Sequence, residues 1–188
     1  LAFAGSTRVG SFNKQLVKVA AASARADGAE VTELDLREVP MPLYDGDLEA
    51  NEGIPANAQK FKELMLAHQG LRISAPEYNS GITGVLKNAI DWASRSAPGE
   101  GPLACFVGKT AALMSASPGG LGGLRGLVHV RLILSNIHVV VLPDQVAVPR
   151  AHEAFDAEGL LKDPKQRASI EQLSRDLVEM LIKLHRTE

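Results

Sequence analysis

Hydrophobic and polar positions along this chain alternate between two periods, one of about two residues and one of 3.6. LAFA, at residues 1–4, is a short apolar run that predicts a strand, and residues 13–27 then place Leu16, Val17, Ala20, Ala21 and Ala24 on one helical face, with Gly28 as the stop. EVTELDL, 30–36, alternates as a half-buried strand does, and the proline-rich segment 37–47 predicts a loop. A helix over 55–68, a strand over 71–75, a helix over 83–95 and a strand over 109–117 follow, then a helix over 123–135 and a fifth strand in IHVVVL, 137–142. Residues 143–163 predict a long polar connection. Asp163 as N-cap and Pro164 at the first helical position start a last helix running to about His185, with Leu173, Leu177, Met180, Leu181 and Leu184 inward. Five strands alternating with five helices imply parallel strands joined by right-handed crossovers, a doubly wound α/β sheet with helices on both faces. Such sheets bind ligands outside the carboxyl ends of their strands. The loops after strands one, three and four are therefore the ones to inspect.

Composition narrows the choices. At 188 residues and 45% hydrophobic, the chain is expected to form one domain over 1–188. A net charge of −2 and the lack of any run of five like charges disfavour nucleic acid as a partner. Cys105 is the sole cysteine, so no internal disulfide can form, and no basic segment followed by an apolar stretch opens the chain; a cytoplasmic setting is expected. The longest apolar tract, 127–142, is interrupted by His129, Arg131, Asn136 and His138 and is too short to cross a bilayer. The chain opens on Leu1, inside a strand pattern, so a few preceding residues are expected to be missing from it.

The three loops hold the unusual residues. In GSTRVGSFN, 5–13, the side chains of Ser6, Thr7, Ser11 and Asn13 supply donors, Gly5 and Gly10 permit close backbone approach, Arg8 adds a charge and the following helix presents its free amides. A capped turn needs one hydroxyl and here there are three, which points to a phosphate. No G-x-x-x-x-G-K-[ST] occurs, and Thr7 stands where a dinucleotide fingerprint needs its second glycine, so a mononucleotide phosphate is the expected guest. In PEYNSGITG, 76–84, Pro76 ends the strand and Glu77 to Ser80 form an exposed loop whose Tyr78 and Asn79 offer a plane and an amide to a flat ring. SPGGLGG, 117–123, serves close backbone packing or ligand contact equally well. Arg72, inside a strand, would be costly to bury unpaired, and its head is expected to reach a carboxylate or the strand's end.

GSTRVGSFN, PEYNSGITGVLKNAIDW and ASPGGLGGLRG together resemble the corresponding segments of the NADPH-dependent FMN reductase family, whose flavodoxin-like members include azoreductases, quinone reductases and chromate reductases. The resemblance spans roughly residues 1–150. It implies a flavodoxin-like doubly wound five-stranded parallel sheet of order 2-1-3-4-5. It implies FMN with its phosphate on Ser6, Thr7, Arg8, Gly10, Ser11, Phe12 and Asn13, its ring beside Pro76, Glu77, Tyr78, Asn79 and Ser80, and Ser117, Gly119, Gly120, Gly122 and Gly123 on the other side. NADPH or NADH would supply hydride by a ping-pong course to quinone, azo, flavin or metal-anion acceptors, with flavin N5 and no side chain carrying it. A homodimer or homotetramer is implied, for which the helix over 83–95, with Val85, Ile90 and Trp92, has apolar surface to spare. Two positions depart from the family pattern: Thr83 stands in place of the usual proline, and Arg72 in place of an apolar residue. A flavodoxin-type electron carrier and a flavin-bound redox sensor, both without nicotinamide activity, are the competing readings; the mild net charge favours an enzyme. The five histidines lack ligand-like spacing, Cys105 reads as a small buried hydrophobe, and Asp45, Asp47 and Glu49 read as a solvated loop.

Overall fold

The computed structural model describes residues 1–185. The chain runs β1 (Ala2–Ala4), α1 (Phe12–Ala26), β2 (Glu33–Leu34), a 3-10 turn (Leu36–Glu38), α2 (Gly46–Glu52), α3 (Ala56–Ala67), β3 (Gly70–Ser74), β4 (Glu77–Tyr78), β5 (Gly81–Ile82), α4 (Gly84–Ala93), β6 (Thr110–Ala116), α5 (Leu124–Asn136), β7 (Val140–Val148), α6 (Ala151–Ala154) and α7 (Pro164–Leu184). The main sheet has the order β2-β1-β3-β6-β7, every pair parallel, which is 2-1-3-4-5 when its strands alone are numbered. Order reverses between β1 and β3, so the loops after these strands diverge and leave a crevice at their carboxyl ends.

Period explains the layers. β3 and β6 are buried along their whole length, as central parallel strands covered on both faces must be. Phe3, Ile73, Leu71 and Leu113 enter one apolar cluster with Phe61 and Met65 of α3, Leu86 and Ile90 of α4, and Leu127, Val130 and Leu134 of α5. Alternate positions face the other way: Ala112, Met114 and Ala116 meet Leu16 and Ala20 of α1 and Ile170, Leu173 and Leu177 of α7. Phe3 and Phe61 meet edge to face at 5.6 Å, and truncating either would cost about 3–5 kcal/mol.

Several expectations need correction. Asp45 is an N-cap, accepting from the Asp47 amide at 2.8 Å, and the acidic stretch behind it is helix α2 rather than a solvated loop. The fifth strand does not stop at Leu142. It continues to Val148 past a register irregularity at Pro143, tolerable because β7 is an edge strand, and Arg131 reaches back to the Val141 and Pro143 carbonyls there. The supposed connection 143–163 thus contains most of a strand and α6. Arg72 is buried and finds neither a carboxylate partner nor the strand's end: Nη2 donates to the Ser174 carbonyl of α7 at 3.1 Å, and Nε has no partner. Burial brings its pKa down to about 10, so it stays charged at neutral pH, helped by Asp27. The apolar residues of α4 are not spare either: Ile90 and Trp92 are buried, and the Trp92 indole donates to the Pro42 carbonyl at 2.8 Å under an edge-on Tyr44. Cys105 is fully buried, as expected of a small hydrophobe. No helix among the described residues is long and apolar enough to cross a membrane. The expected single domain over 1–188 takes in residues 186–188, which lie outside the described residues.

Candidate functional site

α1 begins without a side-chain cap. Ser11 occupies the N-cap position with extended dihedrals, yet its hydroxyl accepts no amide of the first turn, and that turn carries no acidic residue. Lys14 and Gln15 amides bond the Ser11 carbonyl, whereas the Phe12 and Asn13 amides meet no acceptor among the described residues. Two free amides, a buried hydroxyl and the positive end of a 15-residue helix make an anion seat. The Ser6 hydroxyl, also buried, accepts from the Arg8 amide at 3.2 Å, which curls the loop so that the exposed Arg8 guanidinium lies 5.8 Å from the Phe12 ring.

This seat opens into a shallow, solvent-connected cleft walled by Ser6, Arg8, Ser11, Phe12 and Asn13 on one side, by Pro76, Glu77 and Tyr78 on another, and by Ala116, Ser117 and Pro118 on the third. All three loops singled out in the sequence meet there. Within the cleft the residues divide into those that face it and those that brace it. Asn13 braces: its Nδ2 donates to the Ala116 carbonyl at 2.8 Å and its Oδ1 accepts from Ser74 Oγ at 2.8 Å and from the Ala116 amide at 2.9 Å. Both polar atoms of its side chain are thus committed to the fold, and its backbone amide meets no acceptor among the described residues. Glu77 braces as well. One carboxylate oxygen accepts from the Gly126 amide at 3.0 Å in the first turn of α5, and the other meets Arg125 at 3.1 Å.

The PEYN segment is a hairpin rather than an open loop. β4 and β5 pair antiparallel with Tyr78 opposite Gly81, and Asn79 and Ser80 between them take φ of 52° and 66°, the left-handed pair of a two-residue turn. Asn79 and Ser80 therefore form the hairpin's tip, and Tyr78, more than half exposed, leans from its first strand. The sequence signal was weak because serine replaces the glycine that usually marks such turns.

Other predicted residues lie elsewhere. Thr7 faces a neighbouring cavity with Val39, Met41, Val85 and Asn88, and Gly10 sits exposed on the loop with open space around it. Gly119 and Gly120 are exposed, with the Ser117 hydroxyl accepting from the Gly119 amide at 3.4 Å. Gly122 and Gly123 are buried and have positive φ, and a Cβ on either would strike the Val148–Pro149 backbone or Ser115 Oγ. Their absence of side chain serves packing of the turn onto β6 and β7.

Three contributors had no role assigned to them from the sequence. Thr83 N-caps α4, its Oγ1 accepting from the Leu86 amide at 3.3 Å while donating to the Gly5 carbonyl at 2.7 Å, so the hydroxyl ties the third loop to the first. Phe155, just after α6, stacks on Phe12 with ring centres 6.3 Å apart and planes within 4°. Pro118 completes the third wall. Nothing in the polar segment 143–163 marked Phe155, whereas threonine three residues before Leu86 is a legible N-cap.

Comparison with known proteins identifies the family. The family model described as NADPH-dependent FMN reductase matches residues 1–153. The chain is 39% identical over 174 residues to an NAD(P)H-dependent FMN reductase of Pseudomonas aeruginosa, covering 92% of this chain and 89% of that one. It is 32% identical over 185 residues to an NAD(P)H:quinone oxidoreductase of Solanum tuberosum, covering 96% and 91%. Among solved structures, the flavoenzyme NAD(P)H:(acceptor) oxidoreductase FerB of Paracoccus denitrificans superposes with a TM-score of 0.80 at 28% identity, over 96% of this chain and 95% of that one.

Proposed function

The chain belongs to the NADPH-dependent FMN reductase family, and on that premise we propose that it passes a hydride from NADPH or NADH to FMN and then on to quinone, azo, flavin or oxidised metal-anion acceptors, the two substrates reacting in turn. The observation that carries this reading is the uncapped start of α1, where the Phe12 and Asn13 amides and the Ser11 hydroxyl stand free beside Arg8. These donors fit a terminal phosphate monoester. No carboxylate opposes it, because Glu77 is neutralised by Arg125 and the Gly126 amide.

FMN held by the Phe12 and Asn13 amides, Ser11 and Arg8 would supply the two-electron chemistry that links nicotinamide to acceptor. The protein's share is placement. Pro76 and Tyr78 on one wall and Ala116, Ser117 and Pro118 on the other leave a slot for a flat ring system, and Phe155 backs Phe12 so that the phosphate seat cannot shift. The cleft is open to solvent, and nicotinamide and acceptor using the same opening in turn would give parallel lines when both are varied. On the ring side, Tyr78, Gly81, Gly119 and Gly120 are small or flat and offer few directional groups, and a pocket without such groups separates analogues by only about 1–3 kcal/mol, which favours breadth of acceptor. Assembly as a homodimer or homotetramer and residence in the cytoplasm belong to the same reading.

Its test is direct. Flavin released from the purified protein is expected to be FMN, and NADPH oxidation with a quinone is expected to turn over without a second protein. Stoichiometric FAD would overturn the phosphate assignment, and slow turnover that needs a separate reductase would make the chain a carrier or sensor.

A further inference from the structure

The chain between β7 and α7, residues 149–162, closes on itself and grips two walls of the cleft. Within it the Lys162 amide donates to the Ala154 carbonyl at 2.9 Å, Phe155 and Leu161 pair as a single antiparallel bridge, and the Leu160 amide donates to Asp156 Oδ1 at 2.8 Å. Ala151 and Leu161 are buried in the same apolar cluster as Val148 and the inner residues of α1 and α7, so the segment is a packed Ω-type loop rather than a slack connection. Its first residues hold the third wall: the Arg150 amide donates to the Gly119 carbonyl at 3.3 Å and the Ala151 amide to the Ser117 carbonyl at 3.1 Å. Its middle meets the first wall, where Phe155 stacks on Phe12. Its far end is fixed from α7, where Arg167 donates to the Leu161 carbonyl through Nη2 at 2.6 Å and through Nε at 3.2 Å.

We propose that this loop is a strap that sets how long FMN stays in the cleft, with Phe155 and Arg167 as its positioning residues. The proposal deepens the FMN reading above and rests on it. Phe12 is the link. Its amide is one of the free donors of the anion seat, and its ring is stacked on Phe155 with planes within 4° while lying 5.8 Å from the Arg8 guanidinium. A displacement of Phe155 is therefore passed to the Phe12 amide and to Arg8 together. Those donors carry the charge-assisted part of phosphate binding, so letting them spread speeds release. Neither strap residue is itself a phosphate ligand: the Phe155 side chain has no polar atom, and Arg167 spends its guanidinium on the Leu161 carbonyl, away from the residues that wall the cleft. Both act through Phe12. Phe12 and Phe155 are each only half-buried, so the two rings can part without opening the core beneath them.

The rate of FMN release from the loaded protein, read as the return of free-flavin fluorescence after dilution, tests this. Phe155→Ala is expected to release FMN roughly two- to tenfold faster, the span that an aromatic pair contributes. Arg167→Met, which unties the strap without touching the cleft, is expected to speed release as well, and Phe155→Tyr, which keeps the ring, to stay within about twofold of the wild type. In an Arg8→Ala background the effect of Phe155→Ala is expected to shrink, because both residues act through the one Phe12 ring. Wild-type release in Phe155→Ala or in Arg167→Met, release from Phe155→Tyr as fast as from Phe155→Ala, or an undiminished Phe155→Ala effect beside Arg8→Ala would each overturn the strap while leaving FMN binding in place. A wild-type protein that takes up no FMN would overturn the reading of the cleft and the strap with it. Should Phe155→Ala fold poorly, Arg167→Met and Phe155→Tyr decide by the same rates.

Discussion

Thr83 makes the sharpest energetic prediction. Its hydroxyl makes two bonds: it accepts from the Leu86 amide as the cap of α4, and it donates to the Gly5 carbonyl, which is buried at the root of the phosphate loop. Thr83→Val keeps the shape and removes both. Losing a helix cap costs about 1 kcal/mol, and leaving a buried carbonyl without its donor costs about 1–3 kcal/mol, so a loss of roughly 2–3 kcal/mol is expected. For a chain of this size that lowers Tm by about 5–10 °C. Proline at this position removes the same hydroxyl but suits the backbone. Thr83 has φ of −68° and ψ of 147°, and its amide has no acceptor among the described residues, so a proline ring sacrifices no hydrogen bond from its own nitrogen. It also restricts the unfolded chain, worth about 0.4–1 kcal/mol. Thr83→Pro should therefore fall between wild type and Thr83→Val in urea unfolding monitored by circular dichroism. A Thr83→Val loss below about 0.5 kcal/mol, or a proline variant less stable than the valine one, would refute the assignment of both bonds.

Three further outcomes follow from the same geometry. Arg8→Ala should weaken FMN binding about ten- to a hundredfold, since a charge-assisted contact contributes about 1.5–3 kcal/mol, while leaving urea stability within about 0.5 kcal/mol because the side chain is exposed; fluorescence titration with FMN reads the first and would reject the phosphate seat if affinity held. Glu77→Ala should free the β4–β5 hairpin from α5, raising amide exchange at residues 78–82 and lowering FMN affinity, whereas Glu77→Gln, which keeps an acceptor for the Gly126 amide, should recover most of the protection; equal exchange in the two variants would count against this anchoring. Burial pushes the His68 imidazole below its ordinary pKa, opposed by its bond to the Leu64 carbonyl, so the unfolded chain binds the proton more readily and stability should fall as pH drops through about 6.5; His68→Gln should flatten that slope, and an unchanged slope would assign it to other groups.

The fold was legible because its signals are periodic. The strands centred on Ile73 and Leu113 are short runs with apolar residues on both faces, and α1 and α7 carry an apolar stripe beneath charged outer positions, which a sheet covered on both faces explains. What escaped has no period. Two-residue ladders such as β4 with β5 are set by a turn, and Asn-Ser in left-handed conformation carries little of the signal that Asn-Gly would. The strand β7 was cut short at Leu142 because a proline interrupts it, and only its place at the sheet's edge, invisible in sequence, makes that proline harmless. Trp92 and Ile90 were read as surplus apolar surface for the opposite reason: residues 40–44, which carry no periodic signal, fold back to cover that helix.

The candidate site shows a second limit, one of role rather than position. Motif residues cluster because the cleft needs them, but the need is of two kinds. Asn13, Glu77 and Thr83 spend their polar atoms on other loops and strands, each joining a piece of the crevice that topology brings near without fixing: Asn13 ties α1 to β3 and β6, Glu77 ties the hairpin to α5, and Thr83 ties α4 to the phosphate loop. Among the described residues, Arg8 and Ser11 make no side-chain hydrogen bond that holds the chain together. Residue type does not separate these groups, since an asparagine that grips a phosphate and one that grips a strand end are the same letter. Their energetics do. Removing a brace leaves buried partners without bonds and must lower stability and affinity together, whereas removing a contact leaves only solvent behind and must lower affinity alone. Plotting the loss of FMN affinity against the loss of urea stability for alanine variants at these five positions would sort them into two lines, and a single line through all five would mean that the cleft does not divide in this way.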